Sequence, residues 1–242
     1  MTHINPLDIK IVFEDNHLII IEKPINIPSQ KDESNDMDIL TILKENLKIR
    51  YNKPNNVYLG LIHRLDRPVG GLMVFAKTSK AASRLSEQIR NFNFKKTYLA
   101  VIHNKLNENS GTLINYLFKT ESTNIVSVVN EGYKGSKEAI LNYKTIETKN
   151  DLTLVKVELL TGRSHQIRVQ FASIGNPLYG DQKYGLNNNG LNNNALNNKR
   201  YKQIALWSHE IGFNHPIQKE EIKFKIYPPK KEPWNIFSEC GR

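Results

Sequence analysis

Cysteine is almost missing from this 242-residue chain: Cys240 stands alone. No disulfide can form within the chain and no cysteine zinc site can be built, which fits a reducing, cytoplasmic setting. Long hydrophobic runs are missing too. No apolar stretch approaches the roughly 20 residues a membrane-spanning helix needs. The opening Met1-Thr2-His3-Ile4-Asn5-Pro6 has no basic region followed by an apolar run, so no secretory signal is expected. There is no phosphate-binding Gly-x-x-x-x-Gly-Lys. The seven histidines include no pair at helix-ligand spacing with an acid between, so no metal site is expected. Acid is in short supply, with 24 Asp and Glu against 34 Lys and Arg, a net charge of +10. That balance points to a polyanionic partner, although the surplus of Lys, Asn and Ile is also what codon drift in an AT-rich genome produces.

Arginine is the scarce base, nine residues against 25 lysines, and Arg64, Arg67, Arg163 and Arg168 fall into two short segments. A guanidinium is a planar, permanently charged fork that lysine cannot imitate. Its clustering therefore says more about phosphate or carboxylate chemistry than net charge does.

The hydrophobic pattern predicts strands at 10–13 and 17–21 with a turn between them, and at 58–62, 72–76, 97–103, 152–160, 205–213 and 221–227, with several short strands between 111 and 147. Helices are predicted after Asp38, from a cap at Ser79 to Asn91, and from about Ser164 to Ser173. No linker is evident, and the expectation is a single domain over 1–242. Residues 186–198 repeat Leu-Asn-Asn-Asn with a period of five and read as a disordered surface insertion.

The richest stretch is 58–77. An apolar segment delivers His63-Arg64-Leu65-Asp66-Arg67-Pro68, Val69-Gly70-Gly71 follow, and a second apolar segment resumes. Neighbouring positive charge favours the ionised form of a carboxylate, and the glycine pair permits a sharp turn and close approach of a ligand. Such an Asp suits nucleophilic attack on an electrophilic carbon. For an isolated Arg-x-Asp-Arg, an ordinary ion pair at a strand end is the commoner meaning. A glycosidase would need a second carboxylate about 5–9 Å away, and neither arginine-bearing segment offers one. Leu65 breaks a kinase catalytic loop, and Asp-Phe-Gly is absent.

His63-Arg64-Leu65-Asp66 with its glycine turn resembles the signature of RluA-type pseudouridine synthases. Two further segments resemble that family in order and spacing: Lys95-Lys96-Thr97-Tyr98-Leu99-Ala100, and Thr161-Gly162-Arg163-Ser164-His165-Gln166-Ile167-Arg168. Weaker likenesses lie at Glu22-Lys23-Pro24, at Gly175 to Asp181, and at His209, so the resemblance covers about residues 10–227. Two positions depart from it, Gly70 where the family has Ser and Asn26 where it has Gly. The resemblance implies an α+β fold: a largely antiparallel mixed sheet in two halves with a central cleft, and helices packed on the sheet. It implies an isomerase, converting uridine in structured ribosomal or transfer RNA to pseudouridine without a cofactor. The nucleophile would be Asp66, acting on sugar or base; Tyr98 would stack on the uracil, and Arg168 would pair with Asp66. Arg64 would fill the gap left by the flipped base. His63, Arg67, Lys95, Lys96, Arg163, His165 and Gln166 would contact RNA. The remaining expectations are a stem-loop partner, no membrane, and a stand-alone monomer. Two rivals use the same residues: a catalytically silent RNA-binding protein, and a metabolic hydrolase acting through Asp66.

Overall fold

The computed structural model describes residues 5–185 and 202–240. The Asn-rich stretch 186–198 lies outside the described residues. The chain divides into two compact units: one runs to Lys96 and adds Ser208–Tyr227, the other holds Thr97–Trp207 and Pro228 onward. The chain leaves the first unit, returns to it and leaves again. That interleaving is why the expectation of one domain found no linker to contradict it.

In the first unit, β1 (Ile11–Glu14), β2 (Leu18–Lys23), β4 (Gly70–Ala76) and β10 (Leu206–Asn214) lie side by side; β3 (Gly60–Leu61) pairs with β4 and β11 (Glu221–Lys225) with β10. The pairs β1–β2, β2–β4, β3–β4 and β10–β11 are antiparallel, with Leu18 opposite Ala76 and Lys23 opposite Gly71. Leu18 to Ile21 and Leu72 to Ala76 are wholly buried on alternating faces, so both sides of these strands are covered. Leu18, Ile20, Leu72 and Val74 pack with Ala81 and Leu85 of α2 (Ser79–Arg90), with Phe94, and with Ile211 and Phe213. In α1 (Ile39–Arg50) the recurring Ile39, Ile42, Leu43 and Leu47 are buried. Its start is fixed by Asp38, whose carboxylate accepts the Thr41 N–H at 3.0 Å. The cap of α2 is Thr78, one residue earlier than the expected Ser79; its hydroxyl accepts the Ala81 N–H at 3.2 Å.

In the second unit β5 (Lys95–His103), β9 (Leu152–Leu159), β8 (Lys137–Lys149), β6 (Ser110–Thr120) and β7 (Ile125–Val129) form an antiparallel ladder in that order. The several short strands expected over 111–147 are three, two of them long. The α-helix α3 (Gln166–Ser173) packs on β6 and β7, with Val169 against Leu117, Val126 and Ala139. An α+β fold of mostly antiparallel strands is thus what the sequence forms. Among the described residues no helix is long and apolar enough to cross a membrane.

Candidate active site

Asp66 sits on the loop between β3 and β4, and three devices fix that loop's backbone. Ser29 brackets Leu65, its hydroxyl donating to the Leu65 carbonyl at 2.6 Å and accepting the Leu65 N–H at 3.1 Å. A turn closes from the Asp66 carbonyl to the Val69 N–H at 2.9 Å. Lys23, 0% exposed at the end of β2, donates from Nζ to the carbonyls of Pro24 (2.9 Å), Arg67 (3.2 Å) and Val69 (2.8 Å). An ammonium has three N–H donors, and here three carbonyls meet them. Burial pushes Lys23 down to about 7, while the nearby Asp66 charge pulls it up and Arg67 pushes it further down. Leu65 is buried, Asp66 half-buried, and Arg64 and Arg67 exposed. The loop therefore anchors its apolar member and presents its charged ones.

The glycine pair has one obligatory member. Gly71 has φ +115°, and a Cβ there would lie 2.3 Å from the Ser208 carbonyl oxygen. Ser208 in turn donates its hydroxyl to the Leu72 carbonyl at 2.9 Å, closing the seam.

Arg67 was expected to flank Asp66 electrostatically and to hold phosphate. In the structure its guanidinium pairs with Asp36 and donates to Ser34 Oγ at 3.0 Å. The hydrogen bond from Arg67 holds the Asp36 carboxyl below the usual carboxylate range. The positive group buried beside the Asp66 loop is Lys23. His63 accepts the Val74 N–H on Nε2 at 3.1 Å and lies 5.6 Å, ring to ring, from Phe94. Burial, with a smaller push from Lys96, lowers it to about 3, so it is a neutral imidazole tying the loop's entry to β4. Lys95 is exposed and Lys96 half-buried at the start of β5. Tyr98, three residues along from Lys95, is 5% exposed and registers opposite Val157.

The second arginine segment is organised around buried polar side chains. Gln166 accepts the Thr161 hydroxyl at 2.8 Å and the Arg163 N–H at 3.0 Å, and donates to the Ile140 carbonyl at 3.1 Å. It is buried and stitches the 161–166 turn to β8, a structural duty that sequence did not assign it. Arg163 is exposed, its Nε donating to the Glu138 carbonyl at 2.8 Å. His165 adopts the left-handed conformation, φ 52°, at the start of α3, and its Nδ1 lies 2.7 Å from the Tyr184 hydroxyl.

Arg168, 7% exposed, gives a bidentate fork to Asp181: Nε to Oδ2 and Nη2 to Oδ1, each 2.8 Å. Asp181 also accepts the backbone N–H groups of Lys183 (2.9 Å) and Tyr184 (3.1 Å). Burial alone would push its carboxyl up; Arg168 and the two N–H groups outweigh burial and hold it below the usual range. Among the described residues no three His, Cys, Asp or Glu side chains are grouped to hold a metal.

A family model described as RNA pseudouridylate synthase matches residues 17–173. The chain belongs to that family. YhcT of Bacillus subtilis, an uncharacterized RNA pseudouridine synthase, is 33% identical over 225 residues, covering 89% of this chain and 67% of that protein. The ribosomal large subunit pseudouridine synthase C of Buchnera aphidicola is 34% identical over 214 residues, covering 88% and 64%. The chain thus spans about two thirds of the length of these relatives. Its fold is similar to that of the human RNA Pseudouridylate Synthase Domain Containing 4, with a TM-score of 0.75 at 22% identity, covering 91% of this chain and 89% of that one.

Within the pseudouridylate synthase family, both departures of this chain now have a physical reading. Asn26 stands where a glycine is usual and keeps the left-handed backbone, φ 64°; Asn is among the few non-glycine residues that enter that region readily. Gly70 replaces a serine, while the steric need for glycine falls on Gly71. Three residues central to the geometry carried little or no weight in the sequence. Lys23 and Asp181 lay in the weaker likenesses, and Tyr184 in none. A lysine immediately before proline at a strand end, followed by a loop, is the one signal that pointed toward Lys23.

Proposed function

We propose that this protein is an RNA pseudouridine synthase that isomerises uridine in a stem-loop of ribosomal or transfer RNA. The carrying observation is a half-buried carboxylate, Asp66, on a loop whose backbone is clamped by Ser29 and Lys23. A nucleophile must reach its substrate, so its side chain stays accessible while its backbone is immobilised; that combination supports a catalytic role over a surface ion pair. The reaction is balanced without an oxidant or reductant. The bond from the ribose C1′ to uracil N1 breaks, a bond from C1′ to C5 forms, C5 gives up its proton and N1 gains one. Asp66 forms a transient covalent bond, to the sugar or to the base, and is released as the C1′–C5 bond closes. Tyr98 and Arg168 complete the catalytic set, the one against the base and the other pairing with Asp66. Arg64, exposed two residues before Asp66, fills the space of the flipped uridine.

Phosphate contacts fall to Lys95, Lys96 and Arg163, which reach solvent. Arg67 joins them once RNA competes with Asp36. His63, His165 and Gln166 act through the geometry of their segments. The relatives named for the large ribosomal subunit favour ribosomal RNA as the substrate. The protein works as a cytoplasmic monomer without a cofactor.

The test is tritium release from ribosomal and transfer RNA transcripts labelled at uridine C5, followed by mapping of the modified position. Release at one or a few defined uridines is expected. RNA that binds without release would leave a binding protein in place of an enzyme.

A further inference from the structure

Arg168 is held by more than a carboxylate, and the residue responsible is one to which the sequence reading gave no role. The guanidinium carbon of Arg168 lies 5.1 Å from the centroid of the Tyr184 ring, within the range of a cation–π contact. That ring is fixed at both ends. Its backbone N–H donates to Asp181 Oδ1 at 3.1 Å, the same oxygen that takes Arg168 Nη2. Its hydroxyl accepts the Val126 N–H from β7 at 2.9 Å and meets His165 Nδ1 at 2.7 Å. Lys183 adds a tether from the same turn, Nζ to the Asn124 carbonyl at 2.6 Å.

We propose that Tyr184 is a positioning residue for Arg168, setting the plane of the guanidinium that the Asp181 fork alone leaves able to tilt. This rests on the reading of Arg168 as part of the catalytic set. A bidentate carboxylate defines where the guanidinium lies within its own plane. It resists rotation of that plane about the fork much less well. A ring against the cation's face opposes that rotation, provided the ring cannot turn itself. The bonds to Val126 and His165 meet that condition. A tyrosine needed only to fill space beside Leu117, Val126, Ala139 and Val169 would require neither the hydroxyl bonds nor the guanidinium contact.

The experiment is a kinetic cycle on the full chain with a transcript shown to be modified, reading kcat and KM separately and checking folding by thermal melt. Tyr184→Leu keeps apolar packing but removes the ring face and the hydroxyl. It should lower kcat about tenfold through misplacement of Arg168, with KM for RNA unchanged within about twofold. Tyr184→Phe keeps the ring but loses both hydroxyl tethers, and should recover only part of the loss. On an Arg168→Lys background, where the planar cation is gone, Tyr184→Leu should add less than about twofold. The inference is overturned if Tyr184→Leu leaves kcat intact, if its loss resides in KM, or if the same tenfold loss recurs on Arg168→Lys. Should the Leu variant lose its cooperative melt, Tyr184→Met, an adaptable apolar filler, replaces it in the same cycle. If Arg168→Lys itself is fully active, the reading of Arg168 is at fault; if it is impaired while Tyr184→Leu is not, only the positioning role falls.

Discussion

The Asp66 loop and the Arg168 turn solve the same problem in opposite ways. Both hold a charged side chain with a buried ionic group, yet Lys23 grips backbone carbonyls around Asp66, whereas Asp181 grips the Arg168 side chain itself. The difference follows from exposure. Asp66 is half-buried, and the bonds from Lys23 and Ser29 fall on the backbone of its loop. Arg168 is 7% exposed, and several of its donors can be spent on fixing its position. Rigidity is thus imposed on the chain in one region and on the functional group in the other.

Removing the backbone grip should have the larger effect. Lys23→Met fills the same volume but leaves three carbonyls without their donor, of which the buried one at Val69 costs about 1–3 kcal/mol when unpaired. Loss of the buried ammonium's desolvation penalty offsets part of that. The loop should drift by an ångström or so, and displacement on that scale lowers turnover about 100-fold. Single-turnover kinetics on protein that still melts cooperatively would show it; an unchanged rate would make the lysine a stability element only. Asp181→Asn tests the other side of the comparison. The amide still accepts a backbone N–H but loses the charge opposite Arg168, and turnover should fall about 30-fold. Equal losses in kcat and in melting temperature on both variants would erase the distinction between the two modes.

The smallest effect concerns pH. An ordinary histidine titrates near 6.5, whereas desolvation of its half-buried ring pushes His63 down to about 3. Between those values the unfolded chain holds a proton that the folded chain does not. The stabilisation is therefore fully present above pH 6.5 and is lost as pH falls toward 3, by up to about 1.4 kcal/mol per unit. His63→Gln offers an acceptor for the Val74 N–H without titrating. The drop in unfolding free energy from pH 7 to pH 5, read from urea melts, should be about 2 kcal/mol smaller in the variant than in the parent. An identical drop would mean that His63 titrates normally.

What the sequence revealed and what it hid divide along sequence distance. The Asp66 segment was legible because its charges, its proline and its glycine pair are adjacent. Asp38 was legible as a cap because capping is a three-residue affair. Lys23 was hard to weigh because two of its three acceptors, at 67 and 69, lie more than forty residues away. The tie that Gln166 makes to β8 was hidden because its partner carbonyl at Ile140 belongs to a strand 26 residues earlier. The stretch 111–147 looked fragmented for a local reason. The β8 strand carries a bulge between Thr145 and Glu147, and the glycines at 132 and 135 serve the turn before it. Tyr184 had no local signal at all; its importance comes from an arginine, a histidine and a strand brought to it by the fold.

Replacing Asp66 by Asn keeps size and shape and removes only the charge that nucleophilic attack requires. The decisive measurement is tritium release from RNA labelled at uridine C5, run beside a binding titration on the same preparation. Pseudouridine formation should fall below detection while RNA binding is kept or slightly tightened, because phosphate contacts supply most of the affinity and a negative charge near them has been removed. Turnover within about tenfold of the parent, a barrier change of only about 1.4 kcal/mol, would contradict the assignment of Asp66 as the nucleophile.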